Sequence, residues 1–236
     1  DSGQYIVSFT GTLAFLYDSS LGDKAPKSFA DLAKSSLKIG IASATSGSTG
    51  QFSVYAAALA FGGDTDNIAP GIEFFKRLAK EGRLVENLKT DNLSESGYED
   101  QIQVLLSWDF SALAYRDEAA ARTPAKNYGA CIPSDGSVTA GYATIISKTA
   151  PDPYAAMLTR EYILSDAGQL NVAALYATPI RSVKLPSELE NKRIPREQYT
   201  SSQTSMGVKF TLDLSSKIKA AWEEDVEVEP NLIHAE

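Results

Sequence analysis

Residues 104–116 read VLLSWDFSALAYR, and their pattern decides the fold. Val104, Leu105 and Leu106 form an apolar run that leads into Trp108 and Asp109, after which Ala112, Leu113 and Ala114 follow at helical spacing. The pattern predicts a buried strand that hands an aromatic ring and a carboxylate to its C-terminal end, where a helix begins. In open α/β sheets that edge is where ligands sit. Trp108 has two readings, a core ring or a ligand-facing plate. Asp109 likewise is either the N-cap of the next helix or a partner for an amine.

Strand-like and helix-like segments alternate on both sides of this stretch. Upstream, residues 5–9 and 13–17 are β-rich runs bracketing Thr10, Gly11 and Thr12. Residues 26–32 start a short helix, with Ser28 as its cap and Asp31 in the capping-box position. Residues 37–42 read as a short buried strand and 53–61 as an apolar helix; Asn67 to Gly71 opens an amphipathic helix closed by Gly82. Residues 84–88 read as a further strand. Downstream, strands over 128–133 and 141–147 flank a turn at Ser134, Asp135 and Gly136. Helices follow over 153–164 and from Ser165 to about Tyr176, with a last one near 214–222. The alternation predicts an α/β fold, with no internal repeat and no low-complexity linker.

Composition narrows the function classes. A chain of 236 residues, 43% hydrophobic and 22% charged, holds one large domain or two modest ones around a real core. No apolar run approaches the roughly 18 residues of a membrane span. The net charge is −8, and the longest basic clusters are the pairs Lys76-Arg77 and Lys192-Arg193, which argues against nucleic acid as a partner. The only cysteine, Cys131, cannot form an internal disulfide and reads as a small core residue. The only histidine, His234, lies in the charged tail, which argues against Ser-His-Asp hydrolases and histidine-rich metal sites. Asp91, Glu95, Glu99 and Asp100 supply carboxylates for acid–base work, but their segment reads as a solvated loop and helix start. The N-terminal DSGQYIVSF has neither a basic n-region nor an apolar core, so a leader was either removed or never present.

A second candidate site is the loop from Ala44 to Gly50, ATSGSTG, between a strand and a helix. Helix N-termini leave backbone N–H groups open and carry partial positive charge, and small residues let an anion approach. Ser46, Ser48 and Thr49 add hydroxyl donors, while the lack of a Gly-Lys-Ser/Thr sequence excludes a P-loop. The alternative is a flexible capping loop.

Six segments together resemble the extracellular solute-binding proteins of ABC importers, in the spermidine/putrescine-like or ferric-like group. They are TLAFLY from Thr12, PKSFADL from Pro26, NIAPGIEFFK from Asn67, the opening stretch with SWDFSALAYRD, APDPYAA with EYILSDAGQ, and PIR with KLP from Pro179. They stand in that family's order over most of the chain. The resemblance implies a two-lobed, type II periplasmic-binding fold with mixed sheets flanked by helices, from which the usual N-terminal half-lobe is missing. It implies a central lobe over 12–139, with 1–11 and 140–236 forming a hinge strand and part of the other lobe.

The function implied is capture of a small polar or charged solute between two lobes and its presentation to the transmembrane subunits of an ABC permease. A polyamine, an aminophosphonate or a similar zwitterion would suit such a site. The resemblance implies no catalysis, no cofactor and no metal, a periplasmic or extracellular location, and a missing N-terminal segment or partner chain. Ferric binding is disfavoured because Tyr115 stands between Ala114 and Arg116, without the adjacent tyrosine of ferric-binding relatives. The expected ligand-facing residues are Thr12, Ser46, Ser48, Thr49, Trp108, Asp109, Tyr142 and Arg181. Arg181 either holds an anion or ties down the C-terminal segment. The competing functions are an enzyme on a similar framework and the ligand-sensing half of a transcription regulator.

Overall fold

One strand organises the molecule. In the computed structural model, which describes residues 5–91, 93–204 and 212–226, β1 (Tyr5–Asp18) runs unbroken for 14 residues. The sequence pattern splits this stretch at Gly11, but Gly11 and Thr12 stay extended because they pair with Ala140 and Thr139 of β6 (Ser137–Ile145). Each half of β1 serves a different part of the sheet.

The C-terminal half of β1 lies between β4 (Val104–Trp108) and β5 (Tyr128–Cys131), antiparallel to both. Beyond β4 run β2 (Ile39–Gly40) and β3 (Leu84–Val85), in parallel register. The N-terminal half pairs with β6 on one edge and with β7 (Thr178–Pro179) on the other, and β8 (Ser202–Thr204) extends β6 in parallel. The order along the sheet is therefore β3-β2-β4-β1-β6-β8, with β5 and β7 each also pairing with β1 off that path.

The helices are α1 (Phe29–Lys34), α2 (Ser48–Ala60), α3 (Ala69–Lys80), α4 (Asp109–Ala121), α5 (Pro153–Leu164), α6 (Asp166–Ala174), α7 (Ser187–Lys192) and α8 (Leu212–Asp225). The largest core cluster joins Leu13 and Phe15 of β1 to Phe29, Val54, Phe75, Leu106 and Trp222, and so gathers α1, α2, α3 and α8 on one face. Trp222 of α8 packs on Phe75 of α3, and Lys76 bonds Asp225. The opposite side of β1 carries Ala14 and Leu16 against α4 and the segment around Ile194.

Local chemistry explains most boundaries. Ser28 caps α1 by accepting from the Asp31 amide, while the Asp31 carboxylate reaches back to the Lys27 amide. Asp135, in the turn after β5, accepts from the Phe29 and Ala30 amides and closes the same helix end. α2 begins at Ser48, ahead of the expected 53–61, because Gly50 lets the chain fold back tightly. A Cβ at Gly50 would lie 2.3 Å from the Ser43 carbonyl oxygen. Cys131 is buried, as its sequence context suggests, with Sγ donating to the Pro26 carbonyl, and burial pushes its thiol up to about 12. Within the SDAGQ segment Ser165 caps α6, and buried Gln169 donates to the Ser8 and Ile163 carbonyls and accepts from the Ile180 amide. That single glutamine side chain ties α6 to both β1 and the end of β7. No described helix is long and apolar enough to cross a membrane.

Candidate functional site

The site forms where β1 and β6 pass between the two parts of the sheet. β4 delivers Trp108 and Asp109 to its C-terminal end, as its apolar pattern requires, and α4 starts at Asp109. Trp108 is buried and sits edge-on between Phe52 of α2 and Tyr142 of β6, at centroid distances of 5.4 and 5.9 Å. Tyr142 stacks on Phe9 of β1 at 4.7 Å, and Phe110 stands perpendicular to both rings. A continuous row of rings thus runs from the first turns of α2 to the crossing strands. Gly11 makes room for it, since a Cβ there would lie 2.5 Å from the Phe110 ring. Phe9, Phe110 and Tyr142 are partly exposed. Burial and the nearby Asp109 charge raise the Tyr142 hydroxyl above its ordinary range, so it stays protonated.

At the far end of the row lies the loop before α2. Ser43 accepts from the amide and the hydroxyl of Ser46. Gly47 precedes the helix with extended backbone and offers no side-chain cap, so the first-turn amides have no side-chain partner there. Ser46 and Ser48 are exposed and Thr49 is half-buried beside them. Phe52 lies one turn further along α2, which brings these hydroxyls to the Trp108 end of the ring row.

Asp109 is fully buried and spends its oxygens on the protein. Oδ1 accepts from the Thr12 amide at 3.0 Å and the Phe110 amide at 2.9 Å; Oδ2 accepts from the Tyr199 hydroxyl at 2.9 Å. Burial raises its carboxyl above the usual range and outweighs the hydrogen bonds and the Arg193 charge that favour ionisation. Thr12 shares its hydroxyl with Thr139, which in turn bonds Ser202. The group therefore fastens β1, α4, β6 and the chain after α7 at one point.

Arg181 stands apart from the ring row. Its guanidinium reaches the Leu164 carbonyl at 2.8 Å and Asp166 at 2.9 Å, and its amide contacts Gln169, so it ties the β7 end to the junction of α5 and α6. It also lines a cavity of about 530 Å³ with Arg193, Arg196 and Tyr199. Tyr199 is the wall shared between that cavity and Asp109. Of the carboxylates considered for acid–base work, Asp91, Glu95 and Asp100 are exposed. Glu99 is half-buried, bonded by Tyr115, Tyr128 and Arg122, and lies near Lys126. Among the described residues no three His, Cys, Asp or Glu side chains gather as a metal site would require.

Comparison with known proteins then places the chain. The sequence pattern of the bacterial extracellular solute-binding proteins matches residues 1–200. This chain belongs to that family. No curated protein matches it closely enough to count as a relative. Its fold is shared with an ABC transporter protein from Clostridium perfringens ATCC 13124, at 21% identity and TM-score 0.70, covering 96% of this chain and 70% of that one. It is shared too with a periplasmic thiamin binding protein, at 18% identity and TM-score 0.69, covering 97% and 68%. A third is the periplasmic binding protein AfuA from Actinobacillus pleuropneumoniae with fructose-6-phosphate bound, at 16% identity and TM-score 0.67, covering 96% and 69%. The expected two-lobed, type II architecture is therefore correct, and the chain spans about 70% of the length of the structures it matches.

In this solute-binding protein the sequence reading missed Phe9, Phe52, Phe110 and Tyr199. Phe110 carried a signal, directly following Asp109 in the quoted stretch. Tyr199 carried none, because 90 positions separate it from the carboxylate it bonds.

Proposed function

We propose that this protein is the receptor of an ABC-type importer, and that it captures a small solute bearing an anionic group at the junction of its lobes. The observation that carries the reading is the uncapped start of α2, with its open amides and the hydroxyls of Ser46, Ser48 and Thr49, at the end of the ring row. The anionic group meets that helix end, and the body of the solute lies along Trp108 and Tyr142. Thr12 and Asp109 act from behind, holding β1 and α4 in place. Arg181 contributes through the adjoining cavity.

An aminophosphonate or similar zwitterion fits this reading, and so does a phosphorylated solute of the kind bound by AfuA. A polyamine fits less well, because the carboxylate that would pair with its amines is engaged by three protein donors. The lobe division of 12–139 against 1–11 and 140–236 belongs to the same proposal, with α8 returning to the central lobe. Solute would bridge the lobes, stabilise the closed form and present it to the permease subunits on the periplasmic or extracellular side of the membrane.

Thermal-shift and calorimetric titration with phosphorylated, zwitterionic and polyamine solutes tests the proposal. Saturable binding confined to the anion-bearing solutes is expected. Binding of polyamines alone would overturn the anion site at α2, and binding of none would overturn the receptor reading for this chain.

A further inference from the structure

The cavity of about 530 Å³ beside β7 holds more positive charge than the neighbouring carboxylates neutralise. Arg181, Arg193 and Arg196 line it, against Glu190 as the one acidic side chain. Arg196 pairs with Glu190 at 2.9 Å, and Arg181 with Asp166 at 2.9 Å. Arg193 is half-buried, and among the described residues no carboxylate pairs with it. Its guanidinium reaches two neutral acceptors instead, the Ala173 carbonyl at 3.3 Å and the Thr178 hydroxyl at 3.2 Å, both long for a charged donor. A guanidinium carries more N–H groups than those two bonds use. Leu185 and Ile194 supply apolar wall beside it. A cation held there without a carboxylate is poorly solvated and favours an anionic partner. No residue of the ring row or of the loop before α2 lines this cavity.

We propose that this cavity is a second ligand site, and that it takes a small monocarboxylate with an apolar body, its carboxylate paired with Arg193. The planar fork of an arginine matches a carboxylate through two parallel hydrogen bonds, and the one unneutralised charge suits one anionic group. Leu185 and Ile194 select the apolar body, and the volume lies within the range of small-molecule pockets. A phosphate dianion fits less well, because Arg181 and Arg196 are already engaged by Asp166 and Glu190. The net charge of −8 repels anions from the protein as a whole, so the attraction is local to the cavity. An occupant also bears on the junction. Tyr199 forms part of the cavity wall and holds Asp109, which accepts from the Thr12 amide. The site stands independently of solute capture at the start of α2.

Isothermal titration calorimetry of the protein with hexanoate tests the site, with acetate and hexanol as controls for the apolar body and the charge. Saturable hexanoate binding is expected, about tenfold or more tighter than either control. Arg193→Gln removes the charge and should weaken hexanoate by about tenfold or more. Leu185→Trp fills the cavity while leaving Arg193 in place, and should abolish binding. It carries the test if circular dichroism shows the Arg193 variant unfolded. Absence of saturable hexanoate binding overturns the proposal, and so does binding that survives both cavity variants. Binding weakened by the joint change of Ser48→Ala and Thr49→Ala, but not by the cavity variants, overturns it by moving the carboxylate to α2. Hexanol bound as tightly as hexanoate overturns the pairing with Arg193.

Discussion

The two halves of β1 face opposite conditions within a single strand. From Gly11 to Leu16 every residue is buried, whereas from Tyr5 to Thr10 only Ser8 is. The first group is sealed by β4, β5, α2 and α4; the second lies on β6 and β7. The less buried half, YIVSFT, carries the stronger strand formers, so the difference comes from what packs around the two halves and not from propensity. Stability should therefore reside mainly in the buried half of β1 and the helices packed on it, with the other part of the sheet contributing less.

The largest effect expected is the contrast itself. Phe15→Ala removes a fully buried ring from the main core and should cost about 3–5 kcal/mol. Leu158→Ala on α5 should stay within about 0.5 kcal/mol, as exposed sites do. Equilibrium urea unfolding of the 236-residue chain measures both, and similar costs would break the comparison.

Glu99 sharpens it from the electrostatic side. Burial pushes its carboxyl up, but the hydrogen bonds of Tyr115 and Tyr128 and the charges of Lys126 and Arg122 together hold it below the usual range. A lowered folded value contributes stability that is present above the unfolded pKa and is lost as pH falls through the folded one. Glu99→Gln should cost about 1–3 kcal/mol at about pH 7 by weakening that network. The gap from wild type should close on acidification, and urea midpoints followed from neutral to strongly acidic pH would show it. Gly11→Ala probes the point where the halves meet: the new Cβ forces the Phe110 ring aside, at about 1–3 kcal/mol, with a change in near-UV circular dichroism.

How far the sequence could be read follows the same division. The 104–116 pattern announced β4 and the start of α4 because apolar run, aromatic and carboxylate are contiguous there. The caps of α1 and α6 were legible because each lies within a few residues of the helix it closes. Short strands were overread: residues 37–42 shrink to Ile39–Gly40, since the apolar run continues into irregular pairing in which Ile41 bonds Val85 and Leu88. The exposed residues of α5 were not legible, because an apolar stripe at helical spacing looks the same whether covered or bare. The engagement of Asp109 by protein donors was hidden for a different reason: its partners Thr12 and Tyr199 lie 97 and 90 positions away.

A double substitution of Ser48 and Thr49 to Ala tests the site with less effect on the fold. The helix keeps its open amides and loses two hydroxyls, so affinity for an anion-bearing solute should drop by about tenfold, near 1.4 kcal/mol, with urea stability unchanged. An unchanged affinity would move the anion away from α2.

The smallest expected effect is the most diagnostic of the junction. Asp109→Asn keeps an oxygen for the Thr12 and Phe110 amides, and the Tyr199 hydroxyl can turn to accept from the new amide, so the fold survives. Burial raises the Asp109 carboxyl above its unfolded value, so the folded protein holds the proton more tightly than the unfolded chain. Wild type therefore loses stability as pH rises from the unfolded pKa through the folded one, whereas the Asn variant has no such slope. Other carboxylates, Glu99 included, contribute equally to both proteins and cancel in the difference. The variant should match or slightly exceed wild type at about pH 7, by about 1 kcal/mol or less, and fall behind it at about pH 4. Urea unfolding at those two pH values decides the matter. A wild-type lead that grows toward neutral pH would mean that the three donors outweigh burial, leaving Asp109 an ionised anchor at the junction.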